Sequence, residues 1–357
     1  MESMLPDFDS EELEARQAEV ELSGLSGEAR VEAARRDPRC RTRAFIQLAM
    51  SRTGPGAVDP IGWGQAAVAA ASSEDRLCCR ELLPLAWARL GNALRFKGQL
   101  RAALSAFHYA AELEDEIADP LDLAQVWSLR ASLHFEMEEH REAADLLRDG
   151  LKEVRGLASD SFQSVLEVKL GLALVHLEEF RSAADTLGRA STRLHPVEDL
   201  RLFLVAHHNL AYCEVERGHF GQAARILAAL EHWYYELDDP KLLVLRDWLF
   251  GRILAGRGHL EQAADVFGFL RSRSLELGLV HFAGRMELDR GELLYLLGSS
   301  DEAEQSVATA HATLEAAGCQ QEALAAILLL RQGLERHKAA SELLALFATA
   351  RRRAQSL

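Results

Sequence analysis

The chain has 357 residues, of which 48% are hydrophobic and only eight are proline, and it carries a formal net charge of −15. This composition suits a helical soluble protein rather than a disordered one, and the negative balance opposes contact with nucleic-acid phosphates. No stretch approaches the ~18 consecutive apolar residues of a membrane span, the longest candidate being residues 323–330.

Residues 1–27 hold eight acidic side chains and one arginine, a net of −7. They are expected to form a solvated, partly disordered tail. Within it, Leu5 and Phe8 belong to the run Leu5-Pro6-Asp7-Phe8-Asp9, a candidate docking segment for a partner or for the protein's own groove. A basic start followed by an apolar run is missing, so a signal peptide is not expected and the cytoplasm is the default compartment.

Residues 28–77 read as an N-terminal helical cap, with helices over 28–36, 41–51 and 63–71 and a break at Gly54-Pro55-Gly56. The basic cluster Arg35, Arg36, Arg39, Arg41 and Arg43 raises a DNA-binding helix-turn-helix as a possibility. No compact two-helix turn accompanies it, and no nucleic-acid partner is expected.

From residue 78 to 317 the sequence repeats. Ala103, Ala143, Ala183, Ala223, Ala263 and Ala303 recur every 40 residues. In step with them run a small series (Gly91, Ala131, Gly171, Ala211, Gly251, Gly291) and an apolar one (Phe107, Leu147, Leu187, Leu227, Phe267, Val307). A turn series follows the same step: Gly98, Glu138, Glu178, Gly218, Gly258 and Gly298. Within the first unit, Trp87, Leu90, Gly91 and Leu94 share one helical stripe, and Leu100, Ala103, Leu104, Phe107 and Ala110 share another. The small residues Gly91 and Ala103 are expected where the two helices cross. Residues 318–357, ending in Arg351, Arg352 and Arg353, are expected to form C-terminal capping helices.

The stripe Trp87, Leu90, Gly91, Leu94, then Ala103, Phe107 and Ala110 resembles the signature of the tetratricopeptide repeat (TPR). The usual unit is ~34 residues, so the extra length is expected in longer helices or in loops such as Ala118-Asp119-Pro120 and Asp238-Asp239-Pro240. The resemblance implies an all-α, right-handed α-solenoid of about six helical hairpins with helical caps at both ends. Stretches such as Leu85-Ala86-Trp87-Ala88-Arg89-Leu90-Gly91 also look like those of largely uncharacterised bacterial cytosolic TPR proteins, which implies a regulatory or scaffolding role.

Chemistry of its own is not expected. The nucleophile elbow, the zinc-binding HExxH and the phosphate loop are all missing from the sequence. His207 and His208 point about 100° apart on a helix, so they do not chelate one metal. The five cysteines contain no CxxC pair and read as small core residues. No cofactor and no metal are expected.

In TPR proteins the first helix of each hairpin lines the concave face. Carried over by register, the partner-binding groove comprises Leu172, Val175, His208, Tyr212, Val215, Trp248 and Arg252. The run His232-Trp233-Tyr234-Tyr235 is expected to pack against Trp248. Chaperone-type TPR clamps need lysine where Ala88 stands, so that function is disfavoured. The favoured reading is a non-enzymatic scaffold or regulatory adaptor for a protein partner. Two alternatives stay open: a receptor for a short peptide or small signal, and an accessory subunit of a multi-protein enzyme or defence complex. A receptor should enclose a polar-and-aromatic pocket, whereas an adaptor needs only a broad apolar strip. Sequence does not decide the oligomeric state.

Overall fold

The computed structural model describes residues 8–72, 77–319 and 328. Among them every regular element is helical. The N-terminal part comprises α1 (Phe8–Ser23), α2 (Gly27–Arg36), α3 (Arg43–Ser51), α4 (Pro60–Ala71) and the short α5 (Leu77–Arg80). Helices α6 (Leu83–Phe96) to α17 (Ser300–Ala316) then pair as successive antiparallel hairpins. Their first members are α6, α8 (Pro120–Glu136), α10 (Asp160–His176), α12 (Leu200–Glu216), α14 (Pro240–Gly256) and α16 (Val280–Leu297). Their second members are α7 (Leu100–Glu112), α9 (His140–Glu153), α11 (Phe180–Arg193), α13 (Phe220–Leu237), α15 (Leu260–Glu276) and α17.

The chain divides into two compact units, one ending at Leu194 and the next starting at His195. The boundary falls in the loop that contains Pro196, after the third hairpin.

Residues 8–23 form a packed helix, not the solvated tail expected. Ala15, Ala18 and Leu22 of α1 are buried, and α1 packs on α3. Three small or apolar residues at helical spacing make an acidic stretch amphipathic, which net charge alone conceals. Leu5 lies outside the described residues, and so does the Phe8 side chain, although Phe8 opens α1. Apart from residues 318, 319 and 328, the expected C-terminal cap, with Arg351, Arg352 and Arg353, also lies outside them.

Arg30 ties the N-terminal helices together. It is buried, pairs with Asp59 at 2.6 Å, donates to the carbonyls of Leu22 and Leu25, and lies 4.5 Å over the Trp63 ring. Asp59 also caps α4 by accepting from Gly62 N, so α4 starts at Pro60, three residues before the expected position. Elsewhere in the basic cluster, Arg35 and Arg36 pair with Glu32, Arg39 with Glu21 and Asp37, and Arg43 with Glu81 and Asp122.

The 40-residue period arises from long helices. Helices α8, α10, α12 and α14 each span 17 residues. Asp119 and Asp239 accept hydrogen bonds from the first backbone N–H groups of α8 and α14, with proline at the first turn of each. That is the expected chemistry of a helix start. All six members of the turn series, including Glu138 and Glu178, have positive φ.

Within a hairpin, the small residue of the first helix receives the large one of the second. A Cβ added at Gly91 would meet the Phe107 ring at 3.0 Å, and one at Gly251 would meet the Phe267 ring at 2.5 Å. The residue set into Gly91 is thus Phe107, while Ala103 is fully buried beside it. Trp87 packs against Tyr109 in a tilted arrangement, with ring centroids 4.9 Å apart.

Candidate functional site

The second unit gathers polar and aromatic side chains on its first helices, α12, α14 and α16. Trp248 of α14 is at the centre. Its indole Nε1–H donates to Asp289 Oδ2 of α16 at 2.6 Å. The Tyr212 ring of α12 lies 5.7 Å from the Trp248 ring. The guanidinium groups of Arg252 and Arg285 approach the same ring at 5.5 and 5.2 Å, within cation–π range. Arg252 also pairs with Glu216 at 3.0 Å, and the Tyr212 hydroxyl donates to Glu216.

Burial sets the electrostatics. It pushes the Tyr212 phenol up to about 12, with the nearby Glu216 charge adding to the effect. Asp289 is raised above the ordinary carboxylate range by burial, against the pull of Arg252 and of the Trp248 hydrogen bond. Glu292 is raised by burial and then by the Asp289 charge. Adjoining the cluster is a cavity of about 350 Å³. Glu216, Arg252, Asp289 and Glu292 supply its polar rim, and Val215, Phe220, Phe267 and Leu293 are among its apolar lining. Such a site can orient a chain by hydrogen bonds and ion pairs while covering one or two apolar side chains.

Of the groove residues expected from register, Tyr212, Trp248 and Arg252 are brought together here, and Val215 lies in the floor. Trp248, expected as a groove residue, is only 6% exposed, with Asp289 of α16 accepting from its indole. His208 is not a groove residue. It is buried, pairs through Nδ1 with the Tyr234 hydroxyl of α13 at 2.7 Å, and burial lowers its pKa to about 4. A neutral imidazole between the two helices of one hairpin is a core group. Leu172 and Val175 are half-buried on α10 in the first unit.

Also different from expectation is the run from His232 to Tyr235. Tyr234 packs on His208, Trp233 meets Phe203, and Tyr235 lies beneath Arg246. None of these rings meets Trp248 among the described ring contacts.

Asp289, Arg285 and Glu216 were not anticipated from sequence. Asp289 and Glu216 occupy the sixth and thirteenth places of the repeat, which TPR register does not put on the concave face, whereas Arg285 stands at a second place, which it does. The sixth place offered a signal: at a step of 40 it holds Arg89, Leu129, Lys169, Asn209, Leu249 and Asp289. Charges appear there in three of the six hairpins.

No family model matches the sequence, and no curated protein matches it. Solved structures do match in fold. The quorum sensor NprR in complex with its cognate peptide NprX superimposes with a TM-score of 0.58 at 15% identity, over 99% of this chain and 90% of that one. A STAND protein with a tetratricopeptide repeat sensor, from Pyrococcus horikoshii, gives 0.57 at 12% identity, over 88% of this chain and 50% of that one. The fold is TPR-like. A Rap protein complexed with competence and sporulation factor gives 0.51 at 10% identity, over 92% of this chain and 98% of that one. At these identities the TPR-like likeness concerns architecture alone.

Proposed function

We propose that this protein is a non-enzymatic regulatory module that binds a protein partner through a short, extended peptide segment taken up on the first-helix face of its second unit. The observation that carries the reading is the convergence of Tyr212, Trp248, Arg252, Arg285 and Asp289 beside a 350 Å³ cavity. A broad adaptor surface needs no such convergence of charge around one indole, whereas a receptor for a peptide does. That two proteins of similar fold are described in complex with a cognate peptide and with a sporulation factor supports the same reading. The soluble, cytoplasmic setting belongs to this proposal; among the described residues no helix is long and apolar enough to cross a membrane.

Trp248 supports the site from below, and Tyr212 and Arg252 meet the ligand. Truncating a central contact residue of this kind commonly costs ~2 kcal/mol, which is about thirtyfold in affinity. The test is selection of heptapeptides from a displayed random library on the full chain. Selected peptides should bind Tyr212→Ala and Arg252→Ala at least about tenfold more weakly, with helicity unchanged by circular dichroism. Equal affinity for both variants, or failure to select any peptide, contradicts the proposal.

A further inference from the structure

The first unit contains a separate feature that the site above does not use. Helices α6, α8 and α10 line an open cavity of about 490 Å³, whose lining includes the polar Arg89, Ser128 and Lys169 and the apolar Leu121, Leu129, Phe162 and Val165. The Lys169 ammonium donates to the Ser128 carbonyl, to Ser128 Oγ and to Ser132 Oγ, each at 2.9 Å. All three acceptors are neutral. Arg89 donates from one terminal nitrogen to Gln125 Oε1 at 2.7 Å, while its buried Nε has no partner. Asp122, the carboxylate whose field reaches Arg89, is itself paired with Arg43 at 3.6 Å.

The cavity wall therefore holds two cations, and neither forms an ion pair among the described residues. Burial and then the charges of Arg95 and Arg89 push the Lys169 ammonium down to about 8. Holding charges of one sign together away from water is costly unless an anion joins them. The Lys169 ammonium has its three protons already directed, and Arg89 uses one guanidinium N–H on Gln125 while its Nε–H has no partner. A planar guanidinium matches the two oxygens of a carboxylate, and the apolar lining suits a hydrocarbon body. Pockets of this volume accommodate small ligands.

We infer that the first-unit cavity binds a carboxylate carried on an apolar body, with the carboxylate against Arg89 and Lys169 and the body against Leu129, Phe162 and Val165. The site lies in the other unit from the proposed peptide site and does not depend on it. Two sources share this chemistry: a small free acid, and a peptide chain ending in an apolar residue.

The test uses the full chain with ¹⁵N-labelled arginine, following the Arg89 Nε–H resonance, assigned by its loss in Arg89→Lys. The probes are hexanoate, hexanamide, the tripeptide acetyl-Ala-Ala-Leu as free acid and as amide, and inorganic phosphate. Both free acids should move the resonance at millimolar concentration, and each amide should bind at least about tenfold more weakly. Lys169→Met should weaken acid binding by a similar factor, and Lys169→Arg should retain it. Tighter binding of the tripeptide acid assigns the site to a peptide terminus; tighter binding of hexanoate assigns it to a small acid. The inference fails if acid and amide bind alike, if neither acid binds, or if phosphate binds as well as the acids. Should Lys169→Met not fold, the comparison of acid with amide on the wild-type chain decides by itself. Any of these failures leaves the Tyr212 and Arg252 test of the second unit standing.

Discussion

Glu138 and Glu178 adopt φ of 60° and 58° at turns where four sister hairpins place glycine. A non-glycine residue in this region carries a steric cost of ~1–2 kcal/mol, which exceeds the added chain entropy that glycine loses on folding. Both side chains are exposed. Glu138→Gly and Glu178→Gly should therefore each raise stability by about 0.5–1 kcal/mol, read from chemical denaturation. A loss of stability in both would contradict the turn assignment. At His208 the sign runs with pH. The folded imidazole titrates near 4 and the unfolded one near 6.5, so only the unfolded chain takes up a proton between these values. The stability this group supports is complete above about pH 6.5 and is lost as pH falls toward 4, by up to roughly 3 kcal/mol. His208→Gln keeps a partner for Tyr234 and removes the titration. Its stability should fall less than that of wild type between pH 7 and 4.5, and identical slopes would contradict a buried neutral His208.

At the scale of the helical hairpin, the glycine of the first helix and the large residue of the second form a matched pair. Gly251 and Phe267 are matched, as are Gly171 with Leu187, and the repeat register sets Ala211 with Leu227 and Ala131 with Leu147 at the same places. Gly251→Ala puts a Cβ 2.5 Å from a ring that is only 1% exposed. Overpacking of that kind costs ~1–3 kcal/mol, against a gain of ~1 kcal/mol in helix propensity. The single variant should be destabilised by up to about 2 kcal/mol. Adding Phe267→Leu restores a pairing the protein already uses and should recover at least half of the loss in a thermal melt. A double variant weaker than the sum of the singles would contradict the pairing. This register was legible because it repeats: one misread hairpin stands out against five others. The ion pairs that replace the repeat's tryptophan were not. Glu167 and Glu287 occupy the place of Trp87 and Trp127, and each is buried against arginines of the following or preceding helix, Arg189 and Arg193 for Glu167 and Arg271 for Glu287. A carboxylate in a tryptophan position gives no sequence sign of the arginine that holds it.

Over the whole molecule, helix order, turn positions and the residues facing inward follow from periodicity, because burial recurs with the repeat. Location of a binding site does not recur, and there the sequence reading was partial. It placed Tyr212, Trp248 and Arg252 on one face but missed Asp289, which covers Trp248 from α16, and it read α1 as a tail because acidic residues outnumber Ala15, Ala18 and Leu22. Helices longer than the usual repeat bring further places, the sixth and the thirteenth, onto the open face. The central claim is that this face of the second unit takes up a peptide segment. Amide hydrogen exchange of the full chain, with and without a selected heptapeptide, tests it most directly. Protection should concentrate in α12, α14 and α16 around residues 208–216, 246–252 and 285–292. Protection confined to α13 and α15, or no change within the second unit while the peptide is bound, would contradict it.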